Sequence, residues 1–542
     1  MDLSLEDFSN RPSITSISSQ NFNLAFSFQP VSVEYIGQLL SELRINKSCG
    51  PDNIPPKILK LSVPTIKEPL TKLINDCITE SSWPLDWKRS HITPVYKKDD
   101  ASSVKNYRPI SILSAIPKLL ERVMYDQLYD VFKSKFSLNM SGFLRGHSCC
   151  TALLKMVDDW RLALDCKKIT GSIAINLSKA FDSICHNLLL AKLRAYGLND
   201  DAIAFLQSYL IDRQQRVKFH GKFSEWCPVK CGVPQGSLLG PLLFNIFLND
   251  LNFAGQISSL RLYADDTTTY ASDRNIIALE ISLNRDLNIL LTWFFQNYMT
   301  VNSIKTQGML LGSHTYVPEF FIGDTKVDLA NSLKILGVTF DNKLTFCEHI
   351  SNMLKKVYAK IGVLRRLKRL MPHSVSLSLY KAYLLPHLEY CSPLLIGINK
   401  TMNSKLESAN KFALKTLLNL GNNLDYDSIL SLSDMQSLEH RRYYSSLVLL
   451  YNCMNSNGPR YIKNFFQFRY TKYNLRSRGI NLELSGYNNK FFHNSFTYIV
   501  SRLWNKLPVH IKTSSRFSDF TRKLKAFDFS KLGPGCHCNS CI

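Results

Sequence analysis

The sequence has no uninterrupted apolar run approaching the ~18 residues that would cross a bilayer. Its opening, MDLSLEDFSNRP, lacks the basic and apolar stretch of a secretory leader. Both absences point to an intracellular chain without a membrane anchor. Cysteine is sparse, 14 in 542 residues, and without a leader these read as reduced core residues rather than a disulfide framework. No internal repeat is present. Low complexity is confined to the Ser-rich SITSISSQ at 13–20, and residues 1–34 read as a mobile tail. Acidic residues are scarce in one region only: 341–542 hold 11 of them against 30 Lys and Arg, whereas 1–100 hold 12 against 11. With 45% apolar content the chain is globular, and the lopsided charge implies a polyanion gripped mainly by the C-terminal third. The plainer alternative is a soluble basic surface.

What is present alternates in period. Helical spacing covers 57–80 and 113–136, and the apolar run GSIAINL at 171–177 reads as a buried strand. A helix near 187–196 and a strand at 214–219 follow. Residues 259–272, SLRLYADDTTTYAS, read as a hairpin with two carboxylates at its tip. Past 333 come a short strand, KILGVTF, and a basic helix over 346–370. That helix places Ile350, Leu354, Val357, Ile361 and Leu364 on one stripe. Lys355, Lys356, Lys360, Arg365, Arg366, Lys368 and Arg369 occupy much of the rest, as a nucleic-acid-binding, phosphate-tracking face would require.

The sharpest chemical feature is Asp265-Asp266. Adjacent carboxylates on an apolar hairpin repel, and a hard divalent cation relieves that repulsion. A second strand, AINLSKAFD at 174–182, should approach the same point. The glycine-rich GVPQGSLLGP at 232–241, leading into LLFNIFLNDL, lets backbone come close to a nucleotide or template.

In this order the segments resemble the reverse transcriptases of non-LTR (LINE-type, jockey-like) retrotransposons. NKSCGPDNIPPKILK, WKRSHITPVYKKDD, NYRPISIL and SGFLRGHSCCTALL resemble the fingers motifs. NLSKAFDSICH, GVPQGSLLGPLLFNIFLNDL and LYADDTT resemble the three palm motifs. NYMTVNSIKT and LKILGVTFD resemble later palm segments, and YKAYLLPHLEYCSPL, SLEHRRYY and SRLWNKLPVHIK the downstream region. The resemblance implies an α+β, right-hand polymerase fold with fingers, palm and thumb. Its palm would be an antiparallel sheet backed by helices, followed by a mainly helical basic C-terminal region. The expected division is fingers with part of the palm at 35–170, palm at 171–340, thumb at 341–440 and the basic region at 441–542.

The resemblance further implies an RNA-directed DNA polymerase using two Mg²⁺ ions, with an RNA template, a DNA primer and deoxynucleoside triphosphates as partners, in nucleus and cytoplasm. Asp265 and Asp266 fall on the metal-binding pair. Arg108 falls on a triphosphate contact, and Phe181 on the steric gate that excludes a ribose 2′-OH. Gln235 and Gly236 fall on the nucleotide and template side, and Lys305 on a lysine near the departing phosphate.

The chain departs from that pattern at Asn176, where the family carries the catalytic Asp that bridges both metals. An amide brings no charge, so a loss of at least ~10²-fold in rate is expected. Asp182 is a poor substitute, since the family carries an Asp there as well. The family usually encodes an endonuclease upstream, for which residues 1–34 are too short, suggesting a truncated or reused copy. The C-terminal Cys536, His537, Cys538 and Cys541 offer soft ligands for Zn²⁺, or redox-labile thiols. Two further readings stay open: a catalytically dead polymerase fold that binds RNA or RNA–DNA hybrid, and a zinc-mediated interaction protein.

Overall fold

Alternating side chains along the strand Ile169–Ile175 feed two different cores, and this sets the architecture. In the computed structural model, which describes residues 8, 10–20, 22, 24–313, 316–367, 372–420, 423–469 and 479–529, that strand is the middle of a five-stranded sheet. The order is Asp328–Leu329, Gln307–Leu311, Ile169–Ile175, Asp266–Asp273, Ser259–Tyr263. Pairing is antiparallel except at the short Asp328–Leu329 edge. Ile169, Ile173 and Ile175 pack into one core with the helices Ala115–Phe132, His186–Tyr196, Asp200–Leu210, Leu239–Leu248 and Ile276–Gln296. From the same sheet Tyr270, Met309 and Leu311 join a second core. There they meet Leu153, Val157 and Trp160 of the helix Cys149–Asp165, together with the helices beyond residue 347. Both faces are covered, so the central strand is buried along its length apart from the half-buried Ala174.

A second sheet joins Tyr107–Ile112, Arg89–Tyr96, Arg213–Phe219 and Lys222–Phe223, with Cys227–Val229 on Arg213–Phe219. The strands Arg89–Tyr96 and Tyr107–Ile112 form an antiparallel ribbon with Val95 opposite Arg108. The basic helix runs from Cys347 to Leu367 and buries the expected stripe together with His349 and Met353. Lys368 and Arg369 lie outside the described residues, as do Cys536, His537, Cys538 and Cys541. The described cysteines are all free thiols. No helix of the described residues is long and apolar enough to cross a membrane.

Three segments differ from the sequence reading. The Ser-rich stretch expected within a mobile tail is a docked helix, Pro12–Ser18, because Ile14 and Ile17 fall one turn apart and share a buried face. Arg11 Nη1 donates to the Gln296 carbonyl at 2.7 Å, and Asn297 Nδ2 to Ser13 Oγ at 3.0 Å. The expected strand KILGVTF is a tight hairpin, Ser332–Ile335 with Val338–Asp341, because Leu336 (φ 46°) and Gly337 (φ 84°) turn the chain through left-handed backbone. The expected helix 57–80 is two helices, Pro56–Leu61 and Val63–Thr79, since Pro64 has no N–H to continue the first and suits the first turn of the second.

Candidate active site

Tyr263 pairs with Asp266, leaving Ala264 and Asp265 as the two-residue tip of the hairpin. Ala264 sits at φ 56°, a conformation costing an L-residue about 1–2 kcal/mol. The neighbouring loop holds it there. A Cβ on Gly142 would lie 2.3 Å from the Ala264 nitrogen, so only glycine lets the loop press against the tip. Ser141 N–H donates to the Leu262 carbonyl and Leu262 N–H to that of Asn139, both at 2.9 Å. Asn245 Nδ2 clamps the Gly142 carbonyl at 2.7 Å. Asp265 and Asp266 both remain open to solvent. Partial enclosure, then the Asp265 charge, push Asp266 above the ordinary carboxylate range, while Lys97 pulls it back.

The register Ile175↔Thr267 brings the next residue, Asn176, to the end of the strand that neighbours Asp266. The Asn176 backbone is turned to another segment. Its carbonyl accepts from Asn302 N–H at 2.7 Å, and its N–H donates to Thr306 Oγ1 at 3.3 Å. Its side-chain amide has no hydrogen bond with any described residue, so it is free to face an ion. Asn302 Oδ1 accepts from Lys305 N–H at 3.1 Å, setting the exposed Lys305 on the loop beside Asn176. Asp182 is engaged elsewhere: its Oδ1 accepts from Gln235 Nε2 at 3.0 Å, and burial raises its pKa.

Phe181 presents a half-buried ring stacked on Phe244, with the Phe143 ring at its edge, centroids 5.9 Å apart. The 232–237 loop is strapped beside it. Gly232 N–H donates to the Ile184 carbonyl at 2.8 Å and Val233 N–H to that of Phe181 at 3.0 Å. Ser111 N–H donates to the Gln235 carbonyl at 2.8 Å. At Gly236, φ is 137° and a Cβ would fall 2.4 Å from the Ser111 oxygen, so a side chain is excluded on two counts. The buried Glu121 fixes the start of the helix Leu239–Leu248 by accepting from Leu238 N–H at 2.8 Å, and burial raises its pKa.

The structure thus brings together Asp265, Asp266, Asn176, Phe181, Gln235, Gly236 and Lys305. Arg108 is exposed on its strand with no ion pair among the described residues. Lys97, at the end of the VYKK run, is the cation whose field reaches Asp266. The sequence marked that run only as part of a segment resembling the fingers motifs. Sequence reasoning also missed Gly142, Phe143, Phe244, Asn302 and Thr306, which support the site from separate segments. On the basic helix Lys355, Lys356, Arg365 and Arg366 are exposed, whereas Lys360 is committed to the Tyr383 ring at 3.6 Å.

Among the described residues no group of three or more His, Cys, Asp or Glu could hold a metal by itself. Two open, mutually repelling carboxylates with an uncommitted amide beside them fit the kind of Mg²⁺ site that completes its shell with water and substrate phosphates.

A sheet bearing paired carboxylates at a hairpin tip, flanked by a bulky aromatic ring and a glycine-rich strap, defines the palm of a right-hand polymerase. Residues 95–340 match the family model described as "Reverse transcriptase (RNA-dependent DNA polymerase)", and this stretch is a reverse transcriptase domain. The chain is similar to the probable RNA-directed DNA polymerase from transposon BS of Drosophila melanogaster, 29% identical over 63% of this chain and 39% of that one. It is also similar to the RNA-directed DNA polymerase from mobile element jockey of the same organism, 25% identical over 68% of this chain and 42% of that one. For the transposon X-element polymerase, again from D. melanogaster, identity is 27% over 67% and 41%. The matched regions therefore span about two-fifths of these relatives' length. Among solved structures, apo telomerase from Candida Tropicalis aligns with TM-score 0.33 and 14% identity over 48% of this chain and 54% of that one. That likeness is too slight to carry any inference.

Proposed function

We propose that the chain is the RNA-directed DNA polymerase of a non-LTR retrotransposon, with catalysis impaired by Asn176. The observation that carries this reading is Asn176 following Ile175, whose strand partner Thr267 adjoins Asp266. Asp265 and Asp266 would hold Mg²⁺, two ions in a working enzyme, which when bound lowers the pKa of a primer 3′-OH and neutralises phosphate charge. Phe181 closes the sugar side of the nucleotide pocket, and Gln235, fixed by Asp182, lines it. Lys97, Arg108 and Lys305 supply positive charge for the triphosphate. Asn176 contributes a dipole where a third charge is needed, so the transition state loses electrostatic support worth about 10² in rate or more.

The partners in this reading are an RNA template, a DNA primer and deoxynucleoside triphosphates, met in nucleus and cytoplasm. Residues 35–170 serve as fingers with part of the palm, 171–340 as palm, 341–440 as thumb and 441–542 as a basic extension. Zinc at Cys536, His537, Cys538 and Cys541 is part of the proposal, tested by metal content before and after Cys536→Ser with Cys538→Ser.

The experiment is primer extension on an RNA template with a DNA primer and Mg²⁺, comparing the chain with Asn176→Asp. Extension by the Asp variant at least ~10²-fold faster is expected. Equal rates would overturn the role given to Asn176. Binding of the hybrid by both, with extension by neither, would favour the second reading: a polymerase fold that holds RNA or hybrid without copying it.

A further inference from the structure

Arg161 is 4% exposed and makes no hydrogen bond or ion pair with any described residue. Its aromatic neighbour is the Phe346 ring, 5.9 Å from the guanidinium carbon. Asp158, one turn earlier on the same helix, shares its field, but that carboxylate is fully engaged. It accepts from Phe496 N–H at 2.9 Å, Thr497 N–H at 2.8 Å and Thr497 Oγ1 at 2.6 Å. Asp165, one turn further on, is likewise occupied by Asn488 and Asn489 N–H at 2.7 and 2.9 Å. Burial lowers the Arg161 pKa only to about 10, so the group is a cation at neutral pH. Its guanidinium has five N–H donors and no acceptor from any described residue, and none of its nitrogens is fully sealed from solvent, so the group opens onto the space beside it.

The space beside it is a cavity of about 430 Å³, large enough for one nucleotide unit and too small for a duplex. Lys343 and Lys490 stand at its mouth, both exposed and without a salt bridge among the described residues. Asn494 adds an amide with no side-chain hydrogen bond among the described residues, and Phe491, 39% exposed, adds a ring face. Three cations converging on one cleft, with an aromatic at the lip, match a phosphate and its attached base. The cavity is remote from the carboxylates. Arg161 lies twelve residues along its helix from Cys149, about 18 Å at 1.5 Å per residue, and Cys149 is the end that contacts Tyr263.

We infer that this cavity, between the helix Cys149–Asp165, the turn before Cys347 and the segment 489–494, binds a backbone phosphate of a single nucleic-acid strand at a second point of grip. The inference rests on the nucleic-acid reading above. The test is fluorescence anisotropy of a labelled single-stranded RNA across a salt series. It compares the chain with Arg161→Met and with Lys343→Ala plus Lys490→Ala, the rim pair guarding against a fold defect at Arg161. Affinity should fall about tenfold in each. The slope of log K against log salt should become shallower by about 0.7 for each phosphate no longer neutralised. Unchanged affinity and slope in the rim pair, or in a folded Arg161→Met, would overturn the site while leaving the polymerase reading intact. Failure of the unaltered chain to bind RNA would remove both. Uridine monophosphate binding that depends on Arg161, with strand affinity unchanged, would reassign the cavity to free nucleotides and overturn the strand.

Discussion

The ring of Phe181 lies flat on that of Phe244, centroids 4.2 Å apart and planes 13° from parallel. In the proposed polymerase a ring braced in this way cannot tilt to admit a larger sugar without breaking the stack. In an Asn176→Asp background, Phe181→Val should raise incorporation of UTP relative to dTTP by about tenfold or more. Phe244→Leu, which leaves the gate ring but removes its brace, should move the same ratio part of the way. Single-nucleotide incorporation with each substrate gives the measurement, and an unchanged ratio in Phe181→Val would remove the gate assignment.

Gly236 and Gly221 separate steric exclusion from backbone strain. Both have positive φ, 137° and 79°, but a Cβ at Gly221 meets nothing within 4 Å, whereas at Gly236 it meets the Ser111 oxygen. Gly221→Ala should cost about 1–2 kcal/mol in urea unfolding, the strain alone. Gly236→Ala should cost more and weaken nucleotide binding, because the loop must leave Ser111. Equal effects would mean the strap has no part in the pocket.

Deep in the first core, Lys192 Nζ is 2.6 Å from Asp250 Oδ1 and 2.8 Å from the Phe247 carbonyl, with both side chains fully buried. Trp293 Nε1 donates to the other Asp250 oxygen at 3.0 Å. Lys192→Met leaves that carboxylate without its cation and should cost about 3–5 kcal/mol. Adding Asp250→Asn should recover part of the loss. A cost under ~1 kcal/mol for the single variant would show that the pair contributes nothing.

Acid should weaken the fold through its histidines. His91, His147, His186, His349, His387 and His440 are all held below their ordinary range of 6.5, in each case first by burial. The unfolded chain then takes up protons before the folded one does. Their contribution is complete above about pH 6.5 and is lost as pH falls below it. His186 accordingly donates to the Gly232 carbonyl at 2.7 Å as a neutral ring. Relative to His186→Gln, the unaltered chain should lose urea stability between about pH 7 and pH 5. A pH-independent difference between the two would contradict the assignment.

The chemistry was legible wherever its residues are neighbours in sequence. Asp265 and Asp266 share a turn, Asn176 and Phe181 share the exit of one strand, and Gln235 and Gly236 share one loop. As motifs in that order they carried the resemblance that implied a palm. Supports contributed by remote segments were not legible, because Gly142 touching Ala264, or Asn302 reaching the Asn176 carbonyl, leaves no trace in local periodicity. The Arg161 cavity is the extreme case, with residues near 161, 343 and 490. At the N-terminus serine content masked a two-isoleucine face, and in KILGVTF an apolar run hid the left-handed Leu336-Gly337 turn.

The helix Cys149–Asp165 belongs to the second core, yet it follows directly on the loop that supports the carboxylate hairpin. A fragment ending near residue 340 would therefore keep every residue of the candidate site and still leave Trp160, Val157 and Met309 without their cover of later helices. Such a fragment should aggregate rather than act as a minimal enzyme. Selection for solubility alone would then preserve the downstream helices, even in a lineage whose chemistry had already lapsed.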